Sequence, residues 1–505
     1  MEEEGKVYED RGRTMISGRF CFLAPCVCWR IFKPLNWFTH TYTHFGLTRA
    51  LSVFTMRLFN GLASLLAGAG LAQATLQVVS GGTWSATNTG RHIQAHGAGV
   101  TKVGSTYYLI GEDKTEGSAF QNINCYSSTN LVEWTYVGAL LSRTTAAGDL
   151  GPSRVVERPK VIYNSATKKY VMYMHIDSSN YGEAKIGVAT SDTVCGKYTY
   201  LSSWQPLGFQ SRDIGLFQDD DGSAYLLTED RPNGLRINAL SSDYLNVTRN
   251  VYLWPDHIEA PAIWKKNGYY FMFGSKLTGW DPNDNVYSYA TSLAGPWSSW
   301  ATFATVGSKT YTSQTTYILP LGDTAIYMGD RWVSTNLMRS TYVWLPLAIS
   351  GTTITLADRV NWTPNVAAGT WAAGPSETSY EGESATLAGG AKSVACTGCS
   401  GSAAAGYVGG SAGGSVTFSG VSVQASGKTT VRVKHLNGDT SQRWGTVTCN
   451  GVSQTVGFLP TSDGNTPGSS SVFCGLTAGS ANTIKIASSD SSWVADIDRI
   501  FVPVN

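Results

Sequence analysis

Charge is scarce in this chain. Only 14% of the residues are Asp, Glu, Lys or Arg, and 37 basic side chains stand against 36 acidic ones. Nucleic-acid and polyphosphate partners need a strongly basic surface, so this balance argues against both. No phosphate-cradling glycine loop occurs, and no convincing helix is read beyond a segment near the N-terminus. Cys396-x-x-Cys399 lacks a second ligand pair at zinc spacing. What abounds instead is glycine, 55 residues, with 16 Trp, 25 Tyr and 17 Phe. A chain of 505 residues with that mixture suits an all-β, turn-dense protein of two or three domains. Aromatic excess also suits sugar recognition, although core packing is the commoner use of any one ring.

The first 74 residues read differently from the rest. Met56-Arg57, the apolar run LFNGLASLLAGAGLA and Ala72-Gln73-Ala74 form a signal peptide (56–74) cut after Ala74. Residues 1–55 then read as an upstream extension that is not native to the exported protein. A membrane anchor is the alternative, but the apolar run is short against the roughly 20 residues a span needs. The expectation is therefore a secreted, extracellular monomer with no membrane partner. Three cysteines fall in the extension, and the even number that remains suggests pairing in an exported protein. The pairs expected are Cys125–Cys195 in a first domain, and Cys396–Cys399 and Cys449–Cys474 in a second. Asn246-Val-Thr248 and Asn361-Trp-Thr363 are acceptable glycosylation sequons.

One phrase returns five times. It begins at His96 (HGAGVTKVGSTYYLIG), Glu157 (ERPKVIYNSATKKYVMYMH), Asp213 (DIGLFQDDDGSAYLLT), Glu259 (EAPAIWKKNGYYFMFG) and Gln314 (QTTYILPLGDTAIYMG). A polar residue leads, an apolar segment follows, and an aromatic-rich run comes after a turn. In four copies a Gly marks that turn; the second has SATKK there. Repeats of such strands and turns predict a five-bladed β-propeller over 75–371. Its first strands face the axis, so the leading residues would converge on one funnel. From Tyr380, after a joint at 372–379, short segments of period-2 alternation predict a β-sandwich over 380–505.

Hydrolysis of a glycosidic bond needs a proton donor for the leaving oxygen and a group that delivers water or attacks the anomeric carbon. Glu259, flanked by apolar residues in Ile258-Glu259-Ala260-Pro261, is the expected general acid, because such surroundings raise a carboxyl pKa. Asp213 would add to that effect, and Arg212 beside it could hold the aspartate or pair with Glu157. Strand-end salt bridges are the bland alternative for each carboxylate taken alone. Their recurrence at equivalent repeat positions weighs against it.

EAPAIW, SRD…FQDDDG and the five repeats resemble glycoside hydrolase family 43, five-bladed propellers that cleave with inversion. The resemblance implies that Asp213 tunes the acid and that Glu259 is the acid. It fails at the first blade, where the family's aspartate base is replaced by Gln94-Ala95-His96-Gly97. One branch of the family lacks that aspartate: secreted exo-β-1,3-galactanases. The phrases IQAHGAG, GEDK, VVERPKV, DSSNYG, YTSQ and MGDRW resemble it. The resemblance implies that Gln314 positions water or acts as base through an imidic-acid tautomer. Glu157 and Glu112 would bind sugar hydroxyls, with Glu157 an alternative base. Inversion calls for about 6.5–9.5 Å between the acid and the water-activating group. Tyr126, Trp280 and Trp332 are candidate stacking platforms. No cofactor is expected for catalysis. The implied substrate is the β-1,3-galactan backbone of arabinogalactan, cut from the non-reducing end to release galactose past β-1,6 branches.

The second domain resembles carbohydrate-binding module family 35 through Tyr380-Glu381-Gly382-Glu383, Gly406-Tyr407-Val408-Gly409 and Trp493-Val494-Ala495-Asp496-Ile497-Asp498-Arg499-Ile500. The resemblance implies a structural Ca²⁺ held by Glu381, Glu383 and Asp498, and a sugar site at Asn437, Trp493 and Asp496. Gly382 stands where such modules usually carry Ala, a departure expected to matter little. The competing readings are an arabinan- or xylan-active propeller glycosidase and a non-catalytic galactan-binding lectin.

Overall fold

The computed structural model describes residues 75–504; the expected signal peptide and the extension before it lie outside the described residues. Strand dominates, and helix among the described residues is confined to single turns such as Lys309–Thr312. None of these is long and apolar enough to cross a membrane.

Each repeat folds into one antiparallel four-stranded sheet with its strands in chain order. The first strands are His96–Val103, Val155–Asn164, Ile214–Gln218, Ile258–Lys266 and Gln314–Leu321. Each packs against the first strand of the next sheet, and the fifth returns to the first. The sheets remain separate, so the ring closes by packing, as blades do. In four blades the hairpin after the first strand turns on a glycine with positive φ: Gly104, Gly222, Gly268 and Gly322. In the second blade Lys168 adopts that conformation, with φ 55°. Both choices follow from a turn that demands a left-handed residue.

After the fifth blade ends at Leu356, the chain forms Asn361–Asn365 and Thr370–Ala373. Asn361–Asn365 pairs with Val78–Val79 on one side and with Thr370–Ala373 on the other, and so brings the two ends of the propeller sequence together. Asn361 lies in this joint and donates to Gln77 and Glu377 at 2.6 and 3.1 Å. Its amide is committed to the fold, which corrects its reading as a glycan acceptor; Asn246 is exposed.

The second half forms two facing sheets. One holds Glu377–Glu381, Lys392–Ala395, Ala403–Gly406, Gly427–Leu436, Gly468–Leu476 and Asp496–Pro503. The other holds Thr386–Ala388, Ser415–Val423, Arg443–Cys449, Val452–Phe458 and Gly479–Ala487. Alternating Val, Ile and Phe, among them Val431, Val433, Ile484 and Ile486, fill the core between them. The first sheet gains a further strand from the start of the propeller, since Thr83–Trp84 pairs in parallel with Ser470–Ser471. The three expected disulfides form, with Cα atoms 6.0, 5.3 and 5.5 Å apart.

Candidate active site

At four of the five leading positions the strand is bulged just past the polar residue. The register shifts between His96 and Gly99, Glu157 and Lys160, Glu259 and Ala262, and Thr315 and Tyr317. Gly97, Arg158 and Ala260 carry the left-handed backbone of the first three, at φ 56°, 51° and 55°. A bulge re-aims side chains and often borders a functional site. In Glu157-Arg158-Pro159 and Glu259-Ala260-Pro261 the same glutamate-x-proline pattern marks it.

Glu157, Asp213, Glu259 and Gln314 meet in a pocket of about 280 Å³, together with Glu112, Trp280 and Trp332. His96 does not. It is fully buried, stacks on Tyr342 with centroids 4.8 Å apart, and its Nδ1 lies 3.1 Å from Asp330. The first blade reaches the pocket instead through Glu112, the cross-strand partner of His96. Tyr126 is also misplaced by the sequence reading. It is 4% exposed, accepts a hydrogen bond from the Gln94 N–H and borders a different cleft.

Arg158 organises the centre, and nothing in composition singled it out, although it lies inside VVERPKV. Its Nε is 2.7 Å from Asp213, and its remaining nitrogens donate to Thr315 O and to Gln314 Oε1, at 3.1 and 2.5 Å. Arg212, expected on Asp213 or Glu157, donates to Asp177 and to Tyr181 O instead. Asp213 in turn accepts from the Ala260 N–H at 3.1 Å, tying it to the residue beside the acid.

Gln314 Oε1 also accepts from the Trp332 indole, at 2.9 Å, while its Nε2 donates to Glu259 Oε1 at 2.8 Å. Two N–H donors on the oxygen hold the ordinary amide form. The 6.5–9.5 Å gap expected for inversion is absent between these two groups, because acid and amide are in direct hydrogen-bond contact.

Burial is the main cause that pushes the Glu259 carboxyl up to about 9, with Asp213 and Glu229 adding to it and Arg158 and Arg231 partly offsetting it. Glu259 is therefore protonated at neutral pH, the state a general acid requires.

A second cluster stands opposite. Lys114 lies 2.8 Å from Glu112 and 2.9 Å from Glu157. Burial would raise the Glu157 pKa, but Lys114 and His175 outweigh it and hold the group well below the ordinary range. Tyr181 donates to the same carboxylate at 3.1 Å. Burial pushes Glu112 up to about 7, with the Glu157 charge adding to the rise and Lys114 and Arg158 only partly offsetting it. His175, between Glu157 and Asp177, is driven up to about 9 against its own desolvation. Lys114 and Tyr181 sit in the phrases GEDK and DSSNYG, so the sequence carried their positions without their roles. Trp280 and Trp332 meet edge to face, centroids 4.9 Å apart, at one wall of the pocket.

In the sandwich, Trp493 and Tyr407 are each 48% exposed and pack edge to face. Asp496 accepts from the Tyr407 N–H at 3.2 Å. Asn437 is wholly buried and donates to Ser441 O and Phe458 O, which removes it from a sugar-facing role. Ser400 donates to Glu381 and to Asp498. Glu381 Oε2 and Glu383 Oε2 are buried acceptors with no partner. No ready-made cluster of three metal-ligating side chains occurs among the described residues. Hard, orphaned carboxylate oxygens nonetheless fit a calcium ion better than any softer metal. Gly382 is not interchangeable with Ala here, because a Cβ would lie 2.2 Å from Ile497 O.

Comparison with known proteins agrees with this geometry. Residues 415–502 match the domain described as "Alpha-galactosidase, CBM13 domain", a different module from the family 35 that the sequence resembles. A xylan 1,3-β-xylosidase from Vibrio sp is 29% identical over 133 residues, and the match spans about a quarter of each chain. An exo-β-1,3-galactanase from Phanerochaete chrysosporium, solved with galactose, is 43% identical with a TM-score of 0.60, covering 84% of this chain and 99% of that one. One from Clostridium thermocellum is 27% identical with a TM-score of 0.57, covering 78% and 99%. Residues 94–365, the bladed ring with its carboxylates, match "Glycosyl hydrolases family 43". The chain belongs to glycosyl hydrolases family 43 and is a glycoside hydrolase.

Proposed function

We propose that this chain is a secreted, inverting exo-β-1,3-galactanase that releases galactose from the non-reducing end of β-1,3-galactan and passes β-1,6 branches. The observation that carries the reading is the pairing of a protonated Glu259 with Gln314, in a pocket that no carboxylate leading the first blade enters; His96 holds that leading position and is sealed against Asp330. Arabinan- and xylan-active relatives use a carboxylate at that position. Support for the substrate comes from the Phanerochaete galactanase, which covers most of the chain. A pocket of about 280 Å³ is small for a ligand site and suits one terminal sugar rather than a bound stretch of chain.

Glu259 gives its proton to the leaving oxygen. Asp213, fixed by Arg158 and the Ala260 N–H, keeps that proton in place until it is needed. Gln314, with its oxygen held by Arg158 and Trp332, orients water on the far side of the sugar through its NH2 group, and the proton this water sheds as it bonds to the anomeric carbon passes to solvent at the pocket mouth. Glu157 is so fully engaged by Lys114, Tyr181 and His175 that it serves better as a fixed acceptor for sugar hydroxyls than as a base.

Trp493, with Tyr407 and Asp496, forms the sugar face of the binding module. Glu381, Glu383 and Asp498 hold a structural calcium there, which neutralises carboxylates left without partners. Calcium should raise the melting temperature and chelator should lower it, whereas Glu383→Gln should abolish the difference; an identical response from that variant would refute the site.

The reaction is tested by digesting debranched β-1,3-galactan and following product anomers by proton NMR. Galactose appearing first as the α-anomer is expected. Galactose appearing first as the β-anomer would overturn inversion, and binding without release would make the protein a lectin.

A further inference from the structure

A second cleft, of about 690 Å³, lies between the first blade and the binding module. Its propeller wall carries Tyr126 and Tyr136, whose rings stand 5.2 Å apart at 58°, with Asn122 and Arg91 beside them. Its module wall carries Trp444, 37% exposed on the strand Arg443–Cys449. The two walls are joined by hydrogen bonds, Asn336 Nδ2 to Thr440 O at 2.8 Å and His92 N–H to Gln442 Oε1 at 3.2 Å. The cleft is thus formed in advance of any ligand, at the kind of domain boundary where ligand sites concentrate.

Its chemistry is that of a neutral, hydroxyl-rich ligand. Aromatic faces stand on both walls, and the side chains of Arg91 and Asn122 make no hydrogen bond or ion pair among the described residues. Tyr126 accepts from Gln94 and has its own O–H left to give. One guanidinium and one carboxylate, Asp113, leave little net charge, and the carboxylate is already engaged by Thr115 and Asn124. Two segments divide the cleft from the catalytic pocket. Glu112 lines the pocket and Asp113 the cleft; Trp332 lines the pocket and Asn336 the cleft.

We propose that this cleft is a second saccharide-binding site, built jointly by propeller and module, which takes a neutral oligosaccharide segment. The choice of galactan as that saccharide rests on the functional reading above. The segment is either an inner part of the chain whose end is in the pocket or part of a neighbouring chain.

The test is calorimetric titration of the full chain carrying Glu259→Gln and Trp493→Ala with β-1,3-galactohexaose and β-1,3-galactobiose. Adding Trp444→Ala is expected to weaken hexaose binding by about tenfold, the scale of one lost aromatic platform, and Arg91→Ala independently by about tenfold, the scale of one lost charge-assisted hydrogen bond. Galactobiose, confined to the pocket, is expected to bind as before. One hexaose per protein would mean a single chain spanning both sites, and two would mean separate chains. Hexaose affinity unchanged by both substitutions, or no hexaose binding at all, overturns the proposal. Release of galactose by the unsubstituted protein is scored separately. A cleft that binds without any such release sinks the reaction and keeps the site, and the converse result keeps the reaction and sinks the site.

Discussion

Glu259 shows how much of an acid's behaviour comes from its surroundings. The apolar neighbours in its own strand announce burial, but Asp213, Glu229, Arg158 and Arg231 come from other blades and set the balance. Replacing it by Gln should lower kcat by about 10²–10⁴, the usual worth of general acid help, with little change in KM. The acid must be protonated, so kcat/KM should hold through neutral pH and fall as pH rises through about 9. A profile that falls near pH 5 would place the acid elsewhere. Arg158 opposes the upward shift at Glu259, so Arg158→Met should move that limb to still higher pH. The same change leaves Asp213 without its ion pair and frees the Gln314 oxygen. A loss of about 3–5 kcal/mol in unfolding free energy is expected, as for other half-broken buried pairs, and denaturant titration measures it.

At the scale of the strand, the bulges do what a regular ladder cannot. An unbulged first strand would alternate its side chains strictly, sending successive residues to opposite faces. With Ala260 at φ 55°, Glu259 lies in the pocket while the next residue turns its N–H onto Asp213. A β-branched side chain is badly placed in that conformation. Ala260→Val should therefore lower the melting temperature, by a destabilisation of about 1–3 kcal/mol, and reduce kcat while the sheets stay intact by circular dichroism. The repeat phrases made the five blades legible because strand, turn glycine and aromatic run recur in register. The bulges were not legible, since only a glutamate and a proline two residues apart mark two of them.

Over the whole molecule, propeller and module are laced together by more than a joint. Thr83–Trp84 extends a sheet of the module, and the Gln77 N–H donates to Thr430 Oγ1 at 2.9 Å. Trp84 itself is buried in the propeller's largest apolar cluster, against which Phe473 of the module packs. The full chain should therefore melt in one calorimetric transition. A chain ending at Ala373 should melt at lower temperature, because this segment loses its partner strand; two independent transitions in the full chain would contradict the coupling.

The all-β class, the five repeats, the second domain and the carboxylates that lead the blades can all be read from the order of the residues. Each of these is written in local periodicity and in turn residues that the backbone requires. That order could not determine which leading residue reaches the pocket. His96 and Glu157 hold equivalent repeat positions, yet one is sealed against Asp330 and Tyr342 while the other is held ionised by Lys114 and His175. Nor could it show that Tyr126 faces another cleft, that Asn437 is buried or that Arg158 grips Asp213. Those outcomes depend on contacts between residues far apart in the chain, where packing and charge balance decide the environment of each group.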